Sequence, residues 1–188
     1  LVSLTPVAGY QLVDSMAWFP QIGLKYAVGL DGINVWMVVI AALLTPLAIF
    51  AARTQKGDNQ QGFYALLLLV SASTIGAFVA IDLLLFYVFF ELTLIPTAIL
   101  IAMYGVGERK AAAIKFFVYP FVGSIFLLVS IAGIVILAWQ QTGVWSFDSV
   151  ALAGALNSGA VVIDEQVMHL LFAGFALAFA IKTPIWPF

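Results

Sequence analysis

Residues 83–103 read LLLFYVFFELTLIPTAILIAM, an apolar run long enough to cross a bilayer as a helix. Glu91 lies near the middle of this run and is its only charged residue. Placing a carboxylate at such a depth costs on the order of 2.5–3.5 kcal/mol on insertion scales, and such residues are functional by default. Glu91 is therefore the first candidate site residue. The alternative is a structural polar contact between helices.

The composition of the 188 residues indicates a membrane protein. Hydrophobic residues make up 64% and charged residues 9%, whereas a soluble domain is about half apolar and about a quarter charged. The mean hydropathy is +1.15. Five segments are long and apolar enough to span a bilayer, which predicts an all-α polytopic membrane protein. The predicted spans are about 33–52, 63–80, 83–103, 111–139 and 167–188.

The remaining segments are predicted to be connections within or before a transmembrane region at 29–188. Residues 1–28 are turn-rich and too polar to span, so they predict an extramembrane loop with room for a short hairpin. Residues 140–166 predict a second loop, whose short apolar stretch VALAGAL cannot cross a bilayer. The chain begins without methionine and stops inside an apolar segment, so we expect it to be part of a longer protein.

Loop charges predict the orientation in the membrane. The connections after the first and third spans carry the basic residues Arg53, Lys56, Arg109 and Lys110. The positive-inside rule places both connections in the cytoplasm and the loop 140–166 outside. Asp82 and Glu108 stand at helix boundaries, where we expect them to be solvated.

A second intramembrane charge, Lys182, lies in the last apolar run and is followed at once by Thr183 and Pro184. Pro184 and Pro187 predict a broken helix, and irregular backbone at membrane depth occurs where it lines a cavity or is buried in protein. Burial disfavours the charged form of an acid or a base, and pairing favours it. A Glu91–Lys182 pair that opens and closes would therefore be a proton switch. The residues alone leave snorkelling of Lys182 to the interface as the alternative.

Lys115 is a third candidate, about one turn into the fourth span, where snorkelling is as reasonable as function.

Several function classes are disfavoured by what the sequence lacks. There is no cysteine and one histidine, His169, which argues against thiolate, iron–sulfur, haem and zinc sites on this chain. No glycine-rich nucleotide loop or basic nucleic-acid patch is present, so we expect no cofactor to be bound here.

Four strings carry a resemblance to a known family. They are WFPQIGLKYAVGLDGIN at 18–34, DLLLFYVFFELTLIP at 82–96, ERKAAAIKFFVYPFVGS at 108–124 and LAFAIKTPIWPF at 177–188. The chain resembles the antiporter-like membrane subunits of respiratory complex I, and within them the subunit M family of NADH-quinone oxidoreductase, the counterpart of mitochondrial subunit four. One departure is Pro120, where the family more often has a small polar residue.

The resemblance implies roles for the three charged candidates. The family carries a glutamate in one helix and a lysine at the break of a discontinuous helix, and this pair takes part in proton translocation. Glu91 and Lys182 match those positions, and Lys115 matches a lysine of less certain role. The family's further proton-path residues would lie beyond Phe188.

The resemblance also implies the setting. The chain would be a proton-translocating subunit of NADH-quinone oxidoreductase, with NADH, FMN, iron–sulfur clusters and quinone bound by partner subunits. Its partners would be the lipid bilayer and neighbouring antiporter-like subunits, with no nucleic acid. Its membrane would be the bacterial plasma membrane, or else the mitochondrial inner or thylakoid membrane. A multisubunit cation/proton antiporter, a membrane-bound hydrogenase and a structural membrane scaffold are the alternatives.

Overall fold

A computed structural model describes residues 9–53 and 59–185 of the chain. Residues 1–8 of the predicted first loop, Lys56 and Pro187 lie outside the described residues. The described part begins with an antiparallel hairpin and continues as helices. The elements are β1 (Gln11–Phe19), β2 (Leu24–Leu30), α1 (Asn34–Ala52), α2 (Gln60–Val79), α3 (Leu83–Leu92), α4 (Leu94–Tyr104), α5 (Arg109–Thr142), α6 (Ser149–Asn157) and α7 (Glu165–Lys182).

Five helical stretches are long and apolar enough to cross a membrane, which confirms the predicted polytopic class. They are Asn34–Ala52, Gln60–Val79, Leu83–Tyr104, Arg109–Thr142 and Glu165–Lys182. Helix α5, at 34 residues, is about 50 Å long, well beyond a hydrocarbon core of about 30 Å. The stretch VALAGAL lies in the short helix α6, which has one buried residue, Leu152.

The third span is interrupted at Thr93, which separates α3 from α4. Pro96 lies in the first turn of α4, where a missing N–H is tolerated because the first N–H groups of a helix have no intrahelical partner. The Thr93 hydroxyl donates to the carbonyl oxygen of Phe90 at 2.7 Å. The Thr97 hydroxyl donates to the carbonyl oxygen of Thr93 at 2.6 Å. The two threonine hydroxyls thus satisfy the backbone carbonyls of Phe90 and Thr93, on either side of the interruption between α3 and α4.

Small residues bring α5 and α7 close together. A Cβ atom on Gly123 would lie 3.0 Å from Cδ1 of Ile181, and one on Gly174 would overlap the Ser130 hydroxyl. Small residues at such crossings let two backbones approach, which is the usual packing of helices in membranes. The contact of Gly123 with Ile181 holds the end of α7, which carries Lys182, against the middle of α5.

The start of α3 is fixed by Asp82, and the prediction that this residue is solvated is wrong. Asp82 is only 1% exposed. Its carboxylate accepts hydrogen bonds from the backbone N–H groups of Leu84 at 3.0 Å, Leu85 at 3.1 Å and Lys25 at 3.2 Å. The first two bonds cap α3, and the third attaches the hairpin. The carboxylate can be buried because backbone donors replace water.

Backbone bonds around Asp82 complete this connection, which we call the Asp82 junction. The N–H of Ile81 donates to Ala27 in β2, and the N–H of Leu83 donates to Phe147 before α6. Residues 80 and 82 also form isolated antiparallel bridges with Val28 and Asp148. The junction therefore fixes the first turn of α3 against both β2 and the segment before α6.

Candidate functional site

Three helices contribute polar side chains to one region of the bundle. Glu91 lies on α3, Ser124 on α5 and Lys182 at the end of α7. The capped start of α3 and the close contact of α5 with α7 position these side chains. Glu91 and Lys182 interact electrostatically across this region.

The carboxyl group of Glu91 is incompletely satisfied. Its Oε1 atom is buried and has no hydrogen-bond partner among the described residues. The Ser124 hydroxyl interacts with both Glu91 and the phenol of Tyr87, and Ser124 is 1% exposed. A buried carboxyl oxygen without a donor is costly when the group is charged. The arrangement therefore favours a proton, a water molecule or a moving donor at Oε1.

The ammonium group of Lys182 has its own partner at the break in the third span. Nζ donates to the carbonyl oxygen of Phe90 at 2.5 Å and lies 3.3 Å from the centroid of the Phe90 ring. Helix α7 ends at Lys182, where the N–H and the hydroxyl of Thr183 both donate to the carbonyl oxygen of Phe179. The lysine therefore stands at a helix end, beside an interrupted helix.

Glu91 and Lys182, both in the described part of the chain, do not form an ion pair within 4.0 Å. The ammonium group is held instead by the carbonyl of Phe90, the residue directly before the glutamate. Glu91 therefore has a carboxyl oxygen with no hydrogen-bond partner among the described residues, and the Lys182 ammonium group donates to an uncharged carbonyl oxygen. Direct or water-bridged contact between the two groups stays a prediction.

Lys115 lies away from this region. Its side chain is exposed on α5, beside an open groove of about 730 Å³ that also contacts Tyr119 and Ile181. Helical rise places it about 13 Å along α5 from Ser124, the α5 residue next to Glu91. The structure therefore does not bring Lys115 together with the other two candidates, and its role stays a prediction.

Sequence reasoning did not find three neighbours of these charges, namely Tyr87, Phe90 and Ser124. Tyr87 lies one helical turn before Glu91, so helical spacing could have indicated it. Ser124 is a small polar residue within an apolar run, a type that favours helix–helix contacts in membranes. Phe90 gave no usable signal, because one phenylalanine among many looks like packing. In the described ranges no group of three or more His, Cys, Asp or Glu side chains is placed to hold a metal ion.

An integral membrane protein with an acid and a base at helix interruptions is the class that this fold and site define. A family model described as "NADH:quinone oxidoreductase/Mrp antiporter, TM" matches residues 80–188, which include Glu91, Ser124 and Lys182. The chain belongs to this family of membrane subunits.

Individual relatives agree with the family. The chain is 39% identical to "NAD(P)H-quinone oxidoreductase chain 4 1" of Nostoc sp., over 96% of this chain and 31% of the relative. It is 33% identical to "F(420)H(2) dehydrogenase subunit M" of Methanosarcina mazei, over 96% of this chain and 36% of the relative. A chain of the structure "Respiratory complex I from Thermus thermophilus with bound NADH" superposes with a TM-score of 0.75 at 30% identity, covering 94% of this chain and 34% of that one. The chain thus spans about a third of the length of the relatives it matches.

Proposed function

We propose that this chain is part of a proton-translocating membrane subunit of an NADH:quinone oxidoreductase. The observation that carries the proposal is the buried Oε1 of Glu91, which has no hydrogen-bond partner among residues 9–53 and 59–185, together with a Lys182 ammonium group that donates to Phe90 instead. An acid with no fixed donor is suited to take up and release a proton, because no structural hydrogen bond has to be broken. Both groups lie in the part of the chain that matches the family model.

Proton transfer would depend on the separation of the two charges. With the ammonium group on the Phe90 carbonyl, no ion pair stabilises the ionised form of Glu91. When the ammonium group moves to Glu91, the ionised carboxylate is stabilised and the proton leaves. Lys182 in turn holds its proton more tightly when paired than when desolvated alone. Opening and closing of the pair would thus move protons without any redox chemistry on this chain.

The redox reactions would take place in partner subunits, which would bind NADH, FMN, iron–sulfur clusters and quinone. Neighbouring antiporter-like membrane subunits would be direct partners, and the bacterial plasma membrane is the proposed location. The similarity to a subunit of an F(420)H(2) dehydrogenase favours a second candidate, in which a related complex with another electron donor uses the same membrane module. The identity of the co-purifying redox subunits distinguishes the two.

The test is Glu91→Gln in the full subunit within its intact complex. Gln keeps the shape and the hydrogen-bonding capacity but has no titratable proton. We expect the complex to assemble, to lose most proton pumping and to reduce quinone more slowly, whereas Glu91→Asp has a milder effect. Glu108→Gln is the matched control, because Glu108 is an exposed acid at the other end of the span and its change should leave pumping intact.

The measurement is the number of protons moved per electron in sealed membrane vesicles. A normal ratio in the Glu91→Gln membranes would contradict the proposed role. That result would favour a purely structural subunit.

A further inference from the structure

The Lys182 ammonium group contacts the aromatic ring of Phe90, the residue next to Glu91. Nζ lies 3.3 Å from the Phe90 ring centroid, inside the range of about 6 Å within which a ring face attracts a cation. The same residue supplies the carbonyl acceptor at 2.5 Å. An ammonium group has three donors, so the carbonyl and the ring face together replace only part of its lost hydration.

Phe90 is itself held by an aromatic cluster. Its ring centroid is 5.4 Å from that of Phe86 and 5.9 Å from that of Phe179, which meets it edge to face at 85°. Phe179 lies on α7 one turn before Lys182, so the helix that carries the lysine also orients the ring. The carbonyl of Phe90 is fixed by the Thr93 hydroxyl. Ring and carbonyl are therefore both positioned by neighbours rather than by the ammonium group.

We propose that Phe90 is a positioning residue whose ring face and backbone carbonyl form a neutral binding position for the Lys182 ammonium group, separate from Glu91. We call this the Phe90 position. It stabilises the open arrangement, in which the lysine is charged but does not neutralise the glutamate. Because Phe90 and Glu91 are adjacent residues, the ammonium group moves between them by side-chain rotation alone.

The Phe90 position has to be weaker than an ion pair in a dry site, but strong enough to compete with it. A desolvated cation–π contact changes such an equilibrium by about tenfold or more. Without the ring, the ammonium group would remain beside Glu91, and the switch would stay closed. Among the described residues, the titratable group that interacts with the ammonium group is Glu91 on α3, and Tyr87, also on α3, interacts with Glu91 and Ser124.

This inference rests on the proposed function, but its test has a part that does not need pumping. In the intact complex, Phe90→Leu removes the ring face at similar volume and keeps the carbonyl. We expect proton pumping to fall about fivefold or more, and Phe90→Tyr to keep it within about twofold because a phenol ring also attracts cations. Phe89→Leu is the matched control on the preceding residue, because the Phe89 ring packs at Gly76 of α2 rather than in the aromatic cluster around Phe90.

The second measurement is the position of Lys182 in an experimental structure of the Phe90→Leu complex. We expect its Nζ to leave the Phe90 carbonyl and to lie within ion-pair distance of the Glu91 carboxylate. An unchanged Nζ position, normal pumping by Phe90→Leu, or equal losses in Phe89→Leu and Phe90→Leu would each overturn the inference. Failure of Glu91→Gln to affect pumping would overturn the proposed function, whatever the lysine position in Phe90→Leu.

Discussion

Asp82 and Glu91 are acids at opposite ends of the same ten-residue helix, α3, and the hydrogen bonding of their carboxylates differs. The carboxylate of Asp82 accepts backbone N–H groups from α3 and from the hairpin. Oε1 of Glu91 is buried with no hydrogen-bond partner in the described part of the chain. Burial alone therefore does not distinguish a structural acid from one proposed to carry protons.

The difference lies in the donors. Backbone N–H groups are fixed by the fold, so a carboxylate that uses them becomes part of the scaffold and gains little by changing its state. The neighbours of Glu91 are a serine hydroxyl and a lysine, which are side chains that can move. A carboxyl group whose neighbours are side chains rather than backbone N–H groups can exchange a proton while the backbone stays in place. The three predictions below test this distinction.

The largest effect is expected at Lys182. Lys182→Ala should abolish most proton pumping, as Glu91→Gln does, and the double variant should be little worse than either single variant because both remove the same switch. Lys182→Arg should also fail, since a guanidinium group does not release its proton at accessible pH. Protons per electron in sealed vesicles provide the measurement.

Lys110→Ala is the control for loss of a basic residue, because Lys110 is exposed at the start of α5. Pumping at the normal rate by Lys182→Arg would mean that only the charge is required. The proton-switch mechanism would then have to be abandoned for this residue.

The membrane-spanning helices could be predicted from the sequence because they follow from local rules, whereas the roles of Glu91 and Lys182 stay predictions. An apolar run of about 20 residues must be helical in a bilayer, and a lone charge within it is visible by inspection. The burial of Asp82 could not be predicted, since one of its donors, the N–H of Lys25, is 57 positions away. The Phe90 contact joins residues 92 positions apart and likewise depends on how α3 and α7 pack.

The Asp82 junction should respond to substitution in stability rather than in pumping. Asp82→Ala removes the acceptor of three buried or half-buried N–H groups and should lower the free energy of unfolding by about 2 kcal/mol. Asp82→Asn should cost much less, because Asn caps helices as well as Asp does. The measurement is the midpoint of heat-induced aggregation of the solubilised complex, with protons per electron measured alongside.

The direction of the pKa shift of Asp82 explains why Asp82→Asn should have only a mild effect on stability. Burial raises the pKa of this carboxyl above its ordinary value of 3.8, although the backbone N–H groups oppose the shift. A carboxyl with a raised pKa in the folded protein contributes most to stability below its ordinary pKa, and this contribution is lost as the pH rises through the folded pKa. At neutral pH the charge is therefore not what stabilises the junction. A large loss of pumping in Asp82→Asn, with stability unchanged, would contradict the assignment of Asp82 to the scaffold.

The smallest effect is expected from single cysteines that report which side of the membrane each acid faces, because these changes should leave activity intact. Val106 is 99% exposed in the connection before α5, and Val162 is 71% exposed in the segment before α7. The charges at Arg109 and Lys110 predict that the first site is cytoplasmic, which places the second site and the Asp82 junction outside.

A membrane-impermeant thiol reagent on intact cells should label Val162→Cys, and Val106→Cys only after permeabilisation. Because the chain has no native cysteine, the signal comes from the introduced residue alone in this part of the protein. The reverse labelling pattern would place the Asp82 junction in the cytoplasm, so the Glu91 region would load and release protons from the opposite sides.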